Sequence, residues 1–113
     1  MWIFTEKGFI SVVSEPKRKP LLTVRSRDIK SLVGLTKGHP ETIVETPMAD
    51  YPFRTYLSRS ELTGHLADSV SALKYPNFKN QVALTRGKEF SEALYAVWVA
   101  MMSTEEHLRN FNR

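Results

Sequence analysis

Three histidines, His39, His65 and His107, are the first residues to weigh for chemistry. An imidazole can bind a metal or carry a proton near neutral pH, but either task needs further groups at a fixed spacing. His65 comes nearest, with Glu61 four residues before it and Asp68 three after it, on one side of a helix. These are neighbours rather than a full ligand set, and the plain reading is a histidine on the polar side of its helix. His39 lies in a Gly-His-Pro turn and His107 in the carboxy-terminal tail. The chain has no cysteine, which excludes disulfides, thiolate nucleophiles and zinc sites built on sulfur. It contains no G-x-S-x-G elbow, no G-x-x-x-x-G-K phosphate loop and no G-x-G-x-x-G turn. Its one adjacent acidic pair, Glu105 and Glu106, cannot face one point from a helix. We therefore expect no catalytic residues, no metal and no cofactor.

Binding chemistry has a stronger signal. In the stretch 21–26, period-two alternation sets Thr23, Arg25 and Arg27 against Leu22 and Val24. In the stretch from Phe53 to Leu57, Arg54 and Tyr56 oppose Phe53 and Leu57 in the same way. If those polar sets share a sheet face with Trp2 or Phe4, arginines interleave with aromatic rings. Guanidinium groups then meet phosphates while rings stack on bases, the pattern of a single-stranded nucleic-acid site. The same residues also read as an ordinary solvated sheet surface, with Arg25 or Arg54 paired to Glu41, Glu45 or Asp50. A third reading has the last helix crossing and covering that face.

Charge is distributed unevenly. The net charge is +4, and residues 1–59 carry ten Lys/Arg against six Asp/Glu, while residues 60–113 carry six of each. Lys17, Arg18 and Lys19, with Arg25, Arg27 and Lys30, concentrate the excess. Such a patch suits an anionic partner, and equally a solvated turn whose lysines protect a sheet edge.

At 113 residues, with 42% apolar and 25% charged residues, the chain has the size and composition of one globular domain spanning 1–113. The apolar amino terminus lacks a basic leading region and is broken by Glu6-Lys7-Gly8. No run approaches the roughly 20 apolar residues that span a bilayer. These features predict a cytoplasmic protein without a membrane partner.

Aromatic and β-branched runs predict strands at 2–4, 9–13, 21–26, 42–46 and 53–57. Gly8 closes a first hairpin loop, and the Pro16–Pro20 stretch a second turn. Asp28 is placed to cap a short helix over Ile29, Leu32, Val33 and Leu35. Ser58-x-x-Glu61 is a capping box opening a helix whose apolar stripe is Leu62, Leu66, Val70 and Leu73. Residues 77–83 carry a further helical turn with Phe78 and Val82 inward. The order β-β-β-α-β-β-α-α predicts an α+β fold: an antiparallel sheet, ferredoxin-like or a related two-layer sandwich, with helices packed on one face. Tyr51-Pro52 and Tyr75-Pro76 fix where the next elements begin, and aromatic–proline bonds raise the chance of a cis peptide.

The last helix carries the most information. Phe90, Ala93, Leu94, Val97, Trp98, Met101 and Met102 recur at one-face spacing, yet the other side holds Tyr95, Ala96, Val99 and Ala100. A helix apolar around most of its circumference needs cover on two sides. We therefore expect a partner-binding surface at Tyr95, Val99 and Met102, rimmed by Tyr75 and Phe78. Its occupant would be a protein partner or a second copy, giving a homodimer. Finding Tyr95, Val99 and Met102 enclosed within one chain would defeat that expectation.

The pieces M-W-I-F at 1–4, G-F-I-S-V-V at 8–13, D-Y-P-F-R at 50–54, Y-P-N-F-K at 75–79 and Y-A-V-W-V-A-M at 95–101 together resemble a family of small uncharacterised proteins of bacteria and their phages. The resemblance implies a stand-alone cytosolic protein, phage- or prophage-borne and directed at a host system. It supplies no activity or binding residue.

Overall fold

The computed structural model describes residues 1–106, which form two compact units: Met1–Lys74, and the segment from Tyr75 onward. The first unit is built on a five-stranded, wholly antiparallel sheet. Its strands are β1 (Trp2–Thr5), β2 (Gly8–Val13), β3 (Leu22–Ser26), β4 (Val44–Glu45) and β5 (Phe53–Leu57), in the order β1-β2-β3-β5-β4. The α+β class and the helices packed on a sheet agree with the sequence reading.

Thr5 pairs with Gly8, so Glu6 and Lys7 form a two-residue hairpin loop. At the second turn, Pro16–Arg18 is a short 3₁₀ helix and the Lys19–Pro20 bond is cis. Both Tyr–Pro bonds are trans, the default form for a proline peptide.

Alternation along the strands decides the core. Ile10 and Val12 on β2, Leu22 and Val24 on β3 and Leu57 on β5 turn to one face, where Leu32 and Leu62 meet them. Val24 and Leu32 have no exposed surface. Burying a side chain of that size contributes about 1.5–3 kcal/mol relative to leaving it in water.

Helix α1 (Lys30–Val33) supplies Leu32. Ile29 rather than Asp28 stands at its N-cap position, and Asp28 instead accepts from the Ser31 hydroxyl at 2.5 Å. The Phe9 N–H donates to the Ser31 oxygen at 3.2 Å, tying α1 to the sheet. Helix α2 (Arg59–Ser71) opens on the expected capping box: the Glu61 N–H donates to Ser58 Oγ at 3.1 Å, and the Ser58 N–H to Glu61 Oε1 at 2.8 Å. Leu62 enters the core and Leu66 packs against it. Val70 and Leu73, expected on the same buried stripe, are exposed.

The second unit is a helix pair, α3 (Phe78–Arg86) and α4 (Lys88–Met101), followed by a 3₁₀ turn, Met102–Thr104. Asn77 caps α3, its side-chain oxygen accepting from the Asn80 N–H at 2.9 Å. Gly87 separates the helices at φ 92° and ψ 168°, a conformation that residues with a Cβ rarely adopt. The sequence readings for His107 and Arg109 lie outside the described residues.

Candidate functional site

The α3–α4 pair has one buried seam. Val82 is fully buried, Phe90 and Leu94 are half-buried, and the Ser91 hydroxyl donates to the Lys79 carbonyl at 3.0 Å. The Arg86 guanidinium lies 4.1 Å above the Phe90 ring and the Lys79 ammonium 4.7 Å above the Tyr95 ring. These contacts set the first turn of α3 beside Ser91–Tyr95, so the last turns of α4 run on beyond it. There Tyr95 is 42% exposed, Trp98 62%, Val99 46%, Met101 57% and Met102 39%.

From Ala93 to Thr104 the chain carries no charge. With aromatic side chains of about 150–250 Å² each, these residues expose several hundred Å², near the upper limit for a patch on a monomer. The expected surface at Tyr95, Val99 and Met102 is thus accessible. The expected inner face is not wholly inner, however, because Val97, Trp98 and Met101 are exposed as well. The spacing identified a face, but α3 is too short to cover its far end.

A groove of about 460 Å³ opens on this unit, lined by Asn77, Phe78, Lys79, Leu94, Tyr95 and Trp98. Tyr95 and Trp98 stack with centroids 5.7 Å apart, and Tyr75 lies 6.1 Å from Phe78. Phe78 and Tyr95 therefore line one groove. Asn77, Lys79, Leu94 and Trp98 are its unforeseen members, while Tyr75, Val99 and Met102 are not part of its lining. Trp98 had been assigned inward, and only the length of α3 reveals otherwise.

On the first unit, the sheet face away from the core gathers the predicted basic and aromatic residues. Register aligns Trp2, Ser11, Arg25, Arg54 and Val44 in one row, with Val13, Thr23 and Tyr56 in the next. Arg25 Nη2 donates to Ser11 Oγ at 2.8 Å, and its guanidinium lies 4.6 Å over the Tyr51 ring. Arg27 lies 5.1 Å over the same ring and pairs with Asp50 at 3.7 Å. Arg18 reaches the Tyr56 ring at 4.4 Å, while Lys17 and Lys19 stay exposed at the turn. Phe4 and Phe9 stack at 4.6 Å, Trp2 meets Phe9 edge-on at 5.6 Å, and Phe9 lies 6.4 Å from Tyr51.

Among the described residues no acid pairs with Arg25 or Arg54, so the alternative reading that paired either with Glu41, Glu45 or Asp50 does not hold. Asp50 takes Arg27 and Glu41 takes His39. Phe9, Ser11 and Tyr51 were missed as members of this face. Alternation against Ile10 and Val12 marks the first two, but nothing local marks Tyr51, which arrives from a loop.

Among the described residues, His39 and His65 do not assemble a centre. His39 Nδ1 lies 3.1 Å from Glu41 Oε1, and the Glu41 carboxyl is held below its usual value first by its own turn's backbone N–H and then by His39. Glu61 is lowered chiefly by the Ser58 N–H, with His65 only a minor influence. Among the described residues no three of His, Asp and Glu gather as a metal site, and no helix is long and apolar enough to cross a membrane. The chain matches no protein-family model, no curated protein and no solved structure.

Proposed function

We propose that the chain is a non-enzymatic binding or regulatory protein acting through protein–protein contact, with α4 as the contact surface. One observation carries this reading: a charge-free helix end with Trp98, Val99, Met101 and Tyr95 open to solvent. Apolar association is driven by removing such surface from water, and large aromatic residues dominate binding energy at interfaces. The occupant is a second copy or a larger protein. The resemblance to phage-borne proteins favours a host protein for the latter.

Two measurements test it. Light scattering with size exclusion across concentrations is expected to give a mass above the monomer that Trp98→Glu returns to the monomer. Acrylamide quenching of Trp98 in a Trp2→Phe background is expected to be strong in dilute protein. A Trp98 shielded in the dilute monomer overturns the reading; a strict monomer with an open Trp98 leaves only the larger partner.

A second reading has its own observation: Arg25, Arg54 and Tyr56 share a sheet face with Trp2, Phe4 and Phe9, and among the described residues no acid pairs with the first two. It makes the first unit a single-stranded nucleic-acid-binding module. Binding to oligothymidylate that weakens steeply with salt supports it, and no retention at low salt removes it.

A further inference from the structure

We infer that Thr23, Arg25 and Arg54 form a seat for a phosphate oxyanion on the face of the sheet away from the core. The inference deepens the nucleic-acid reading and rests on it for the source of the phosphate. Arg25 on β3 and Arg54 on β5 are direct cross-strand partners. Such partners have Cβ atoms about 5 Å apart, and like charges so placed repel unless a counter-charge joins them. The chain supplies none: among the described residues, neither arginine has an acidic partner.

The donors are also in place. Arg25 Nε and Arg54 Nε are buried and have no hydrogen-bond partner among the described residues. Thr23, two residues before Arg25 on the same face, is fully buried, and its hydroxyl has no partner either. A buried polar group without a partner is destabilising, so three of them on neighbouring positions call for one acceptor. Two fixed positive charges require that acceptor to be an anion. A phosphate has more acceptor oxygens than a carboxylate, so it can serve a hydroxyl and two guanidinium groups at once.

The remaining surroundings fit the phosphate of a nucleotide chain. Ser11 holds the Nη2 end of Arg25, which fixes the guanidinium plane. The Tyr51 and Tyr56 rings flank the row and already accept cations on their faces at Arg25 and Arg18. The seat thus lies between aromatic groups, as a phosphate does between stacked bases.

The test is an amide NMR titration of the full chain with inorganic phosphate at constant ionic strength and pH, repeated with acetate and with oligothymidylate. Saturable shifts are expected at Thr23, Arg25 and Arg54 with phosphate and not with acetate. Arg54→Gln is expected to weaken both phosphate and oligothymidylate by at least about tenfold, the loss typical of a charge-assisted bond. Arg59→Gln, an exposed charge change on α2, is expected to leave both unchanged. Thr23→Val keeps the shape, so it is expected to fold and to weaken both phosphate and oligothymidylate. Oligothymidylate binding that ignores Arg54→Gln and Thr23→Val overturns the seat while the sheet-face reading survives. Phosphate binding without oligothymidylate binding sustains the seat and removes the nucleic-acid source. Acetate acting as well as phosphate, or no shifts at all, overturns the seat.

Discussion

The sheet unit and the helix pair use apolar residues of the same kinds and do opposite things with them. In the first, Val24 and Leu32 lose all contact with water; in the second, Trp98 and Met101 remain more than half exposed. The difference is one of layers. The sheet presents a broad face, and α1 and α2 contribute Leu32 and Leu62 to cover it. Two packed helices have only one seam between them, here Val82 with Phe90 and Leu94. A helix that is apolar on several sides cannot bury them all against one short neighbour. An apolar residue is therefore structural or available for binding according to how much of its surroundings the fold can close.

The comparison breaks most easily at the core. Leu32→Ala is expected to destabilise the first unit by about 2–5 kcal/mol, read from urea unfolding, because the removed methyls leave a cavity. A loss under about 1 kcal/mol would mean that this core is no better closed than the α4 surface.

The next effect is at the junction of the helices. Gly87→Ala is expected to cost about 1–3 kcal/mol in the helix pair, seen as faster amide exchange across α3 and α4. The cause is backbone strain alone, since an added Cβ would meet nothing within 4 Å. Equal stability would show that the φ 92° turn does not hold the pair.

Capping comes third. Ser58→Ala is expected to cost about 1 kcal/mol through the loss of the α2 cap. The same box predicts a pH effect with a definite sign. Glu61 has its carboxyl lowered from 4.5, so its contribution is present above that value and fades as acid takes the pH down through the lower folded one. Unfolding curves of Glu61→Gln should therefore lose that acid dependence, and an unchanged slope below pH 4.5 would contradict it.

The smallest effect sharpens the contrast. Trp98→Ala should change monomer stability by no more than about 0.5 kcal/mol, as for an exposed site. A loss on the scale of Leu32→Ala would show that Trp98 belongs to a core after all.

Much of the sheet was legible because its signals are short-range. Phe53–Leu57 pairs over the residues its alternation marked, and Ser58 and Glu61 form the reciprocal cap their spacing implied. The stretch 42–46 was less faithful: only Val44 and Glu45 pair, at the sheet edge, after a 3₁₀ turn at Pro40–Thr42. On α2 the stripe continued through Val70 and Leu73, but the core ends at Leu66. Spacing selects the face of a helix and carries no information about how far the neighbouring layer extends.

Period and composition alone determined which residues of this chain are apolar in register, where helices open, and that Ala93–Thr104 carries no charge. Those are local properties of a covalent chain. Tertiary structure alone decided that Arg25 stands opposite Arg54, that Tyr51 comes down beside Arg25 and Arg27, and that α3 leaves the far end of α4 uncovered. Each depends on contacts between segments distant in sequence, where register and length relative to a neighbour settle what is buried.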